Sequence, residues 1–317
     1  MDIHHLRYFL AVADHGGVSG AAAALDAAIP TVSGALRSLE RQLGQPLFER
    51  LGGGMVLTAA GHALVPAARR TLRAVDAAAV TVPSADGSLH GRLEIHVLPA
   101  LAMGAVPELV ARFRRRHPHV QVDLARLADE RKTRSLLMDG RAELVVAPLP
   151  FVDGHRRTPT DRQLDTVTVG TQEFWLAYPG DTPLPAHDPI GWEEVPDVPL
   201  VVVPAGDTLA NEVTRTLAAA GRTPPTSAVL TNREARLSFV LGGVGGTFLE
   251  RGLAGLARAR GAQVRALTPP LLRPFGLVLD PARLSPAAAA FVALAREAGQ
   301  SASASASLVN AEAAGES

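Results

Sequence analysis

The sequence contains no cysteine, a single lysine and few aromatic residues. The lack of cysteine excludes a disulfide framework, a thiolate metal site and a cysteine nucleophile. Aromatic residues make up 4% and hydrophobic residues 47% of the chain, which predicts a globular core built mainly from alanine and leucine. Basic and acidic residues number 31 each, so the net charge of zero neither indicates nor excludes a nucleic-acid partner.

Long apolar runs and enzyme motifs are also lacking. The run "VPLVVV" at 198–203 is far shorter than a membrane span, and the amphipathic, charged N-terminus is unlike a signal peptide. We therefore expect a cytoplasmic protein with no membrane partner. Ser19 lies in "GVSGA", which does not fit the nucleophile pattern G-x-S-x-G, and the histidines show no metal-ligand spacing. We expect no enzyme activity, no cofactor and no metal.

Residues 1–58 have the pattern of a winged helix-turn-helix. Apolar residues at helical spacing mark the core faces of a first and a third helix: Leu6, Phe9, Leu10 and Ala13, then Val32, Leu36, Leu39 and Leu43. Ser19 is expected to cap a short second helix, and Pro30 to take the first position of the third, which Gly44 ends. "PLFERLGGGMVLT" then predicts a hairpin around a triple-glycine turn. The helix-turn-helix motif is placed at about 18–37.

Residues 59–90 predict a long helix and a hinge. An apolar stripe runs along "TAAGHALVPAARRTLRAVDAAAVTV": Leu64, Ala68, Leu72, Val75, Ala79 and Val82. An exposed stripe of this kind favours pairing with a second copy of the chain. At the other end of the chain, residues 299–317 are small, polar and low in complexity, and are expected to form a disordered tail.

Between these segments, residues 91–298 predict two α/β lobes. The strands "GRLEIHVLP", "VQVDLARL" and "AELVVAPLP" alternate with helices, which indicates a parallel sheet covered by helices. A second such block starts at "EFWLAYPG", and the chain returns through "PFGLVLDPA" and a last helix. We place lobe I at about 91–161 and 266–298 and lobe II at about 162–265. The expected fold class is α + α/β, with a two-lobed unit like that of periplasmic binding proteins.

The chain resembles the LysR-type transcriptional regulators. The resemblance rests on "LRYFLAVADHGGVSGAAAAL", "IPTVSGALRSLERQLGQPLFER" and "LTAAGHAL", which match the family's signature in order and spacing, and it covers about residues 1–298. It implies a winged helix that binds double-stranded promoter DNA and a linker helix that pairs subunits into a homodimer or homotetramer. It also implies a small-molecule effector held between the lobes. RNA polymerase is a further candidate partner.

The resemblance also implies which residues contact DNA. Residues at the start of a recognition helix read base edges, and later residues touch phosphate. Pro30, Thr31 and Ser33 are therefore base-edge candidates, and Arg37, Ser38 and Arg41 are phosphate candidates. The complete set of expected DNA contacts is Ser19, Pro30, Thr31, Ser33, Gly34, Arg37, Ser38, Arg41, Arg50 and Gly53.

This chain departs from the family pattern at positions where the family carries polar and basic residues that contact DNA. Ile29 stands where the family usually has Gln, Gly20 and Gly34 where it has Arg or Lys, and the wing holds no Arg after Arg50. Residues 1–58 contain four arginines and five carboxylates, a net charge of −1. Because phosphate contacts supply most non-specific affinity, we predict weak or narrowly selective DNA binding that depends on subunit pairing.

Effector contacts are expected at the carboxyl ends of the strands, where clefts of such sheets bind ligands. The candidates are Pro99, Ala100, Leu101, Pro148, Leu149, Ala205, Gly206, Asp207, Thr208, Asn232 and Thr247. The family often has Ser or Thr at the position of Ala100, a hydroxyl that commonly binds an effector carboxylate. Its loss argues against a simple carboxylate and for a larger or more apolar ligand, or none.

Two alternatives stay open at this point. The basic run "RFRRRHPH" at 112–119 is interpreted as a helix C-terminus, where cations are favourable, rather than as a nucleic-acid patch. The acidic balance of residues 1–58 also fits a regulator with a degenerate DNA-binding unit, which would act mainly by binding a partner regulator or a ligand.

Overall fold

A computed structural model describes residues 1–52, 54–81, 88–104, 106–151, 164–204 and 208–315, of which 76–81, 208 and 301–315 are described by their backbone alone. The N-terminal residues form three helices and a hairpin around one small core, which we call the head. Its elements are α1 Ile3–His15, α2 Val18–Ala24, α3 Ile29–Leu43, β1 Phe48–Leu51 and β2 Gly54–Leu57. The predicted winged helix-turn-helix arrangement is therefore present.

The ends of the head helices follow from local chemistry. Asp2 caps α1 by accepting a hydrogen bond from the His4 amide at 3.2 Å. Gly44 ends α3 in the left-handed conformation at φ 70°, as its position predicts. Ser19 does not cap α2, because the helix begins one residue earlier at Val18, which packs against the head core. Pro30 lies second in α3, after Ile29.

The core face of α3 is shorter than its apolar spacing predicts. Val32, Leu36 and Leu39 are buried, but Leu43 is 42% exposed. Leu43 is the last residue of the helix, directly before Gly44. The periodicity alone does not reveal where the buried face ends.

Helix α4, Ala59–Thr81, extends from the head. Thr58 caps it: its hydroxyl accepts from the Gly61 amide at 3.1 Å and donates to the Pro46 carbonyl at 2.7 Å. Val65 and Ala68 belong to the head core, and the neighbouring Leu64 and Leu72 pack against it. The first half of the predicted pairing stripe is therefore covered by this chain's own head, so it is not available along its whole length to a second copy.

Charged side chains join the head, α4 and the first α/β lobe. Asp14 of α1 accepts from Arg69 of α4 at 2.5 Å and lies 3.7 Å from Arg141 of the lobe. Arg73 of α4 donates to the carbonyl of Gly140, and burial lowers the pKa of Arg73. These contacts hold the turn around Gly140 against α4.

The remaining elements build the two predicted α/β lobes. They are β3 Gly91–Val97, α5 Pro99–Ala102, α6 Val106–Arg116, β4 Val120–Arg126, α7 Thr133–Met138, β5 Leu144–Pro148, β6 Asp165–Tyr178, β7 Ile190–Gly191, β8 Leu200–Val202, α8 Thr208–Ala219, β9 Thr226–Val229, α9 Arg236–Leu241, β10 Thr247–Glu250, α10 Ala254–Ala259, β11 Gln263–Arg265, β12 Leu267–Thr268, β13 Leu271–Leu279 and α11 Pro286–Gly315. Strand β3 pairs in parallel with β4 and β5, as the βαβαβ pattern predicts. The main sheet has the order β10-β6-β13-β5-β3-β4, with β11 also paired to β6.

The two lobes meet in the middle of two long antiparallel strands. Residues 275–279 of β13 pair with β5 of lobe I, whereas residues 174–177 of β6 pair with β10 of lobe II. Between them, residues 171–173 and 272–274 pair with each other and, among the described residues, with no third strand. We call this two-stranded stretch the neck. The lobe boundaries predicted at about 162 and 266 each precede this stretch in the chain and stay predictions, because apolar alternation does not show where a strand changes partner.

Each lobe has its own core, and the last helix closes lobe I. Phe113 and Phe291 make an edge contact in the core of lobe I, with ring centroids 5.2 Å apart. Helix α11 runs on to Gly315, so the predicted disordered tail is helical as far as that residue. Its alanines and serines extend a helix already nucleated on the lobe, and propagation costs less than nucleation. None of the helices in the described part of the chain combines the length and apolarity needed to cross a membrane.

Candidate DNA-binding surface and effector cleft

Helix α3 presents a polar face opposite its buried face. Its exposed members are Pro30, Thr31, Arg37 and Arg41, and its half-buried members are Ser33, Gly34 and Ser38. Ile29 precedes them and is 52% exposed, which makes it an apolar residue at the tip that would enter a major groove. An exposed apolar group at that place suits contact with a thymine methyl group, whereas it cannot form the paired hydrogen bonds of an amide.

The two glycines at the family's basic positions differ in the space around them. A Cβ added at Gly20 would lie 3.0 Å from the His15 Cβ, so His15 leaves little room for a longer side chain there. A Cβ added at Gly34 would meet nothing within 4 Å. The packing of the head therefore does not require a glycine at position 34 of α3.

The hairpin lies beside α1 as a wing. The Met55 amide of β2 donates to the Gly16 carbonyl at 3.0 Å, which attaches the wing to the turn before α2. Arg50 is exposed and pairs in register with Met55. Ser19 is exposed in the first turn of α2, and Gly53 lies outside the described residues. The exposed predicted DNA contacts thus belong to three elements of the head, namely α2, α3 and the wing.

The basic run at 112–119 closes a helix in lobe I. Arg114 donates to the carbonyls of Pro118 and Val120, and Arg116 pairs with Glu297 of α11 at 3.2 Å. These side chains therefore satisfy the end of α6 and its contact with α11, in agreement with the interpretation as a helix C-terminus.

A cavity of about 340 Å³ lies between the two lobes. Lobe I contributes Leu98, Pro99, Ala100 and residues 126–131, and lobe II contributes Pro204, Thr231, Arg233 and Glu234. A deeper pocket of about 20 Å³ reaches the neck, lined by Leu98, Ala100, Leu101, Pro148, Gln172, Phe174, Leu209, Arg233, Arg236, Glu250 and Arg273. The larger volume falls in the range of small-molecule sites.

Arginine side chains dominate the electrostatics of the deep pocket. Burial lowers the pKa of Arg233 and of Arg273, and the negative charge of Glu130 opposes that shift in both. Arg236 is buried and pairs with Glu250 at 2.7 Å, while it also donates to the Phe248 carbonyl at 2.6 Å. Charges of both signs therefore line the cleft: Glu130 comes from lobe I, Arg233 and the Arg236–Glu250 pair from lobe II, and Arg273 from the neck.

Comparison with known proteins accounts for both units. Residues 3–62 match the family profile "Bacterial regulatory helix-turn-helix protein, lysR family", and residues 86–300 match the profile "LysR substrate binding domain". The chain belongs to the LysR family of transcriptional regulators. It is a DNA-binding transcriptional regulator with an effector-binding domain, in agreement with the resemblance stated above.

Individual proteins similar to this LysR-type regulator include other regulators of transcription. The chain is 29% identical over 259 residues to the HTH-type transcriptional regulator ShiR of Corynebacterium glutamicum, and the matched region covers 81% of this chain and 85% of ShiR. The solved structure of full-length CbnR complexed with its target DNA has a TM-score of 0.66 at 22% identity, covering 94% of this chain and 100% of that one. The effector-binding domain of QuiR in complex with shikimate has a TM-score of 0.56 at 17% identity, covering 67% and 98%. The named relative is a transcriptional regulator.

The predicted effector residues of this LysR-type regulator divide into several groups. Pro99 and Ala100 line the larger cavity, and Ala100, Leu101 and Pro148 line the deep pocket. Leu149 lines neither cavity. Ala205, Gly206 and Asp207 lie outside the described residues, and Thr208 is described only as the start of α8.

Two further predicted effector residues, Asn232 and Thr247, make hydrogen bonds within lobe II. Asn232 caps the short 3-10 helix Arg233–Ala235, its side-chain oxygen accepting from the Glu234 amide at 3.3 Å. Thr247 is buried, and its hydroxyl donates to the Val201 carbonyl at 2.8 Å. The glycine turn before it packs against lobe II, since a Cβ at Gly246 would overlap the Tyr178 ring. Neither residue lines the cavity of about 340 Å³ or the deep pocket.

The charged lining of the cleft was not predicted from the sequence. It comprises Arg126, Asp129, Glu130, Arg131, Arg233, Glu234, Arg236, Glu250 and Arg273. The rule of strand carboxyl ends, applied to β4 as to β3 and β5, would have found Arg126 and the turn that follows it. Arg273 had a different signal, as a lone charge in the otherwise apolar strand "LLRPFGLVL". Among the described residues, no group of three histidines or carboxylates is placed to hold a metal.

Proposed function

We propose that this LysR-type regulator contacts a promoter through the exposed face of α3 and the wing, and binds a small effector in the cavity between its lobes. The observation that carries the first part is the two-sided character of α3: Val32 and Leu39 are buried in the head, while Thr31, Arg37 and Arg41 face outward. The cavity of about 340 Å³, and the shikimate complex of the similar QuiR domain, support the second part.

We also propose that one head binds DNA weakly and that the pairing of subunits supplies the remaining affinity. The head has a net charge of −1, and Ile29 and Gly34 leave two reading positions without a polar group. LysR regulators bind promoter DNA as oligomers, so two heads on one site would multiply a modest affinity. A dimer or tetramer, a contact with RNA polymerase and a cytoplasmic location stay predictions. The comparisons do not favour the alternative of a degenerate DNA-binding unit.

The test is a titration of the full-length protein against the DNA upstream of its own gene at low and at physiological salt. Arg37→Ala and Arg41→Ala should each weaken binding on all sequences and lower the slope of log K against log salt by about 0.9 per lost phosphate contact. Arg115→Ala, an exposed arginine of α6, is the matched control and should change nothing. Equal losses in all three variants would refute the proposed surface, and a tight, steeply salt-dependent wild-type complex would refute weak binding by one head.

A further inference from the structure

We propose that a turn of lobe I positions the DNA-binding head of the same chain, through contacts of Gly140 with α4 and of Arg141 with α1. We call residues 139–142 the docking turn. This inference rests on the proposed DNA contact of the head and adds a positioning element to it. The docking turn lines neither the cavity of about 340 Å³ nor the deep pocket, so its role is separate from ligand binding.

The docking turn follows α7 and is fixed to lobe I. Gly140 has a φ of 65°, in the left-handed region, and ends α7 in the way that glycine commonly ends helices. The Arg141 amide donates to the Leu136 carbonyl at 2.8 Å. Arg283 donates to the Met138 carbonyl at 3.0 Å, just before the turn. The turn therefore moves together with lobe I.

Gly140 packs directly against α4. A Cβ added at Gly140 would lie 3.4 Å from the Pro66 carbonyl oxygen and 3.5 Å from the Arg69 Cβ. From α4, Arg73 donates to the Gly140 carbonyl, and its guanidinium lies 3.9 Å from the carboxylate of the buried Glu143. Backbone and side chains of lobe I thus meet one segment of α4.

The docking turn also reaches the head itself. Asp14, at the end of α1, accepts from Arg69 at 2.5 Å and lies 3.7 Å from the guanidinium of Arg141. The side chains of Asp14 and Arg141 are 37% and 49% exposed, so water screens this pair and it contributes little to stability. Polar, partly exposed contacts between domains are typical of contacts that form and break. This pair is therefore better suited to set an orientation than to stabilise the fold.

The docked head keeps its DNA-binding face free. The predicted contacts Pro30, Thr31, Arg37 and Arg41 of α3 are exposed, as is Arg50 of the wing. A head held in one orientation loses less conformational freedom on binding than a head that can turn against lobe I. In an assembly, the heads must also match the spacing of two half-sites. The docking turn should therefore raise the affinity for DNA that engages two heads, and leave the contact of one head unchanged.

The first measurement is the affinity of the full-length protein for the DNA upstream of its own gene, whole and cut in two at the centre of the wild-type footprint. Arg141→Glu places a like charge beside Asp14 and should weaken binding to the whole fragment by about 3- to 10-fold. Its affinity for each half should match that of the wild type. Arg115→Glu is the matched control, because Arg115 is an exposed arginine of α6 in the same lobe, and it should change neither affinity.

A reversible cross-link then replaces the docking contact. The chain has no cysteine, so Arg69→Cys with Gly140→Cys introduces its only two thiols. Their Cβ atoms would lie 3.5 Å apart, a separation that disulfides allow. The disulfide should form in the folded protein under mild oxidation, and it should restore the affinity of an Arg141→Glu chain for the whole fragment. Dithiothreitol should remove that gain. The two single-cysteine variants control for the loss of Arg69 and for strain at Gly140.

The outcomes separate the docking turn from the proposed DNA surface. A disulfide that fails to form in the folded protein would show that Gly140 does not lie against α4. Equal losses on the whole fragment and on its halves, or a cross-link that does not restore binding, would mean that Arg141 does not act by positioning the head. If Arg37→Ala weakens binding and Arg141→Glu does not, the DNA surface stands and the positioning role is wrong. If neither variant changes binding, both are wrong.

Discussion

Gly34 offers a direct test of how this regulator binds DNA. It lies in the middle of α3, and a side chain added there would enter open space. Gly34→Arg therefore adds a cation to the outward face without disturbing the head core. Gly34→Ala is the matched control, since it makes the same change in the helix backbone without the charge.

The expected magnitudes differ for stability and for binding. Replacing a glycine inside a helix by alanine or arginine stabilises the helix by about 0.5–1 kcal/mol, so both variants should unfold at a higher denaturant concentration. One added phosphate contact steepens the slope of log K against log salt by about 0.9. When salt rises from about 50 to about 200 mM, each added contact therefore lowers the affinity by a further factor of about 3.5 relative to the wild type. For two heads on one site the additional factor is about 12.

Fluorescence anisotropy of the labelled upstream fragment, over that range of salt, measures both quantities. Gly34→Arg should bind more tightly with a steeper salt slope, and Gly34→Ala should keep the wild-type slope. A Gly34→Arg protein that is more stable but has an unchanged slope would show that this face of α3 does not approach phosphate. The proposed orientation of the head would then be wrong.

Two other perturbations test the packing. A Cβ at Gly61 would overlap the Leu47 carbonyl oxygen, so Gly61→Ala should destabilise the protein by about 1–3 kcal/mol in denaturant unfolding. Burial, and then the charge of Asp197, raise the pKa of Tyr178 above its usual value. Because the pKa of Tyr178 is higher in the folded than in the unfolded protein, its protonated hydroxyl contributes fully to stability below the unfolded pKa of about 10. That contribution is lost as pH rises, at up to about 1.4 kcal/mol per pH unit. Unfolding curves at alkaline pH measure this loss.

Each of these has its own control. Gly34→Ala, in open space, should stabilise where Gly61→Ala destabilises, and the same sign for both would contradict the close contact with Leu47. Tyr178→Phe should flatten the alkaline loss of stability. If the loss is as steep in that variant, another group titrates, because Phe has no hydroxyl.

Local patterns in the sequence predicted what depends on local structure. The core faces of α1 and α3, the glycine that ends α3 and the alternating strands of lobe I depend on spacing and turn residues, and these were found. Leu43 is more exposed than its spacing predicts, and the bond of Thr247 to Val201 was not foreseen, because the surroundings of both come from elements distant in sequence. Arg273 was overlooked for the same reason: it lines the cleft only because β13 returns antiparallel between two lobes.

The neck has a mechanical consequence. Rotation of one lobe against the other must be absorbed as torsion of a two-stranded ribbon, and such ribbons twist more readily than wide sheets. The cavity of about 340 Å³ is lined by Glu130 from lobe I and by Arg233 from lobe II, so a ligand there would contact both sides of the ribbon. Such a ligand would hold the ribbon at one twist, and ligands of different size would select different interlobe angles.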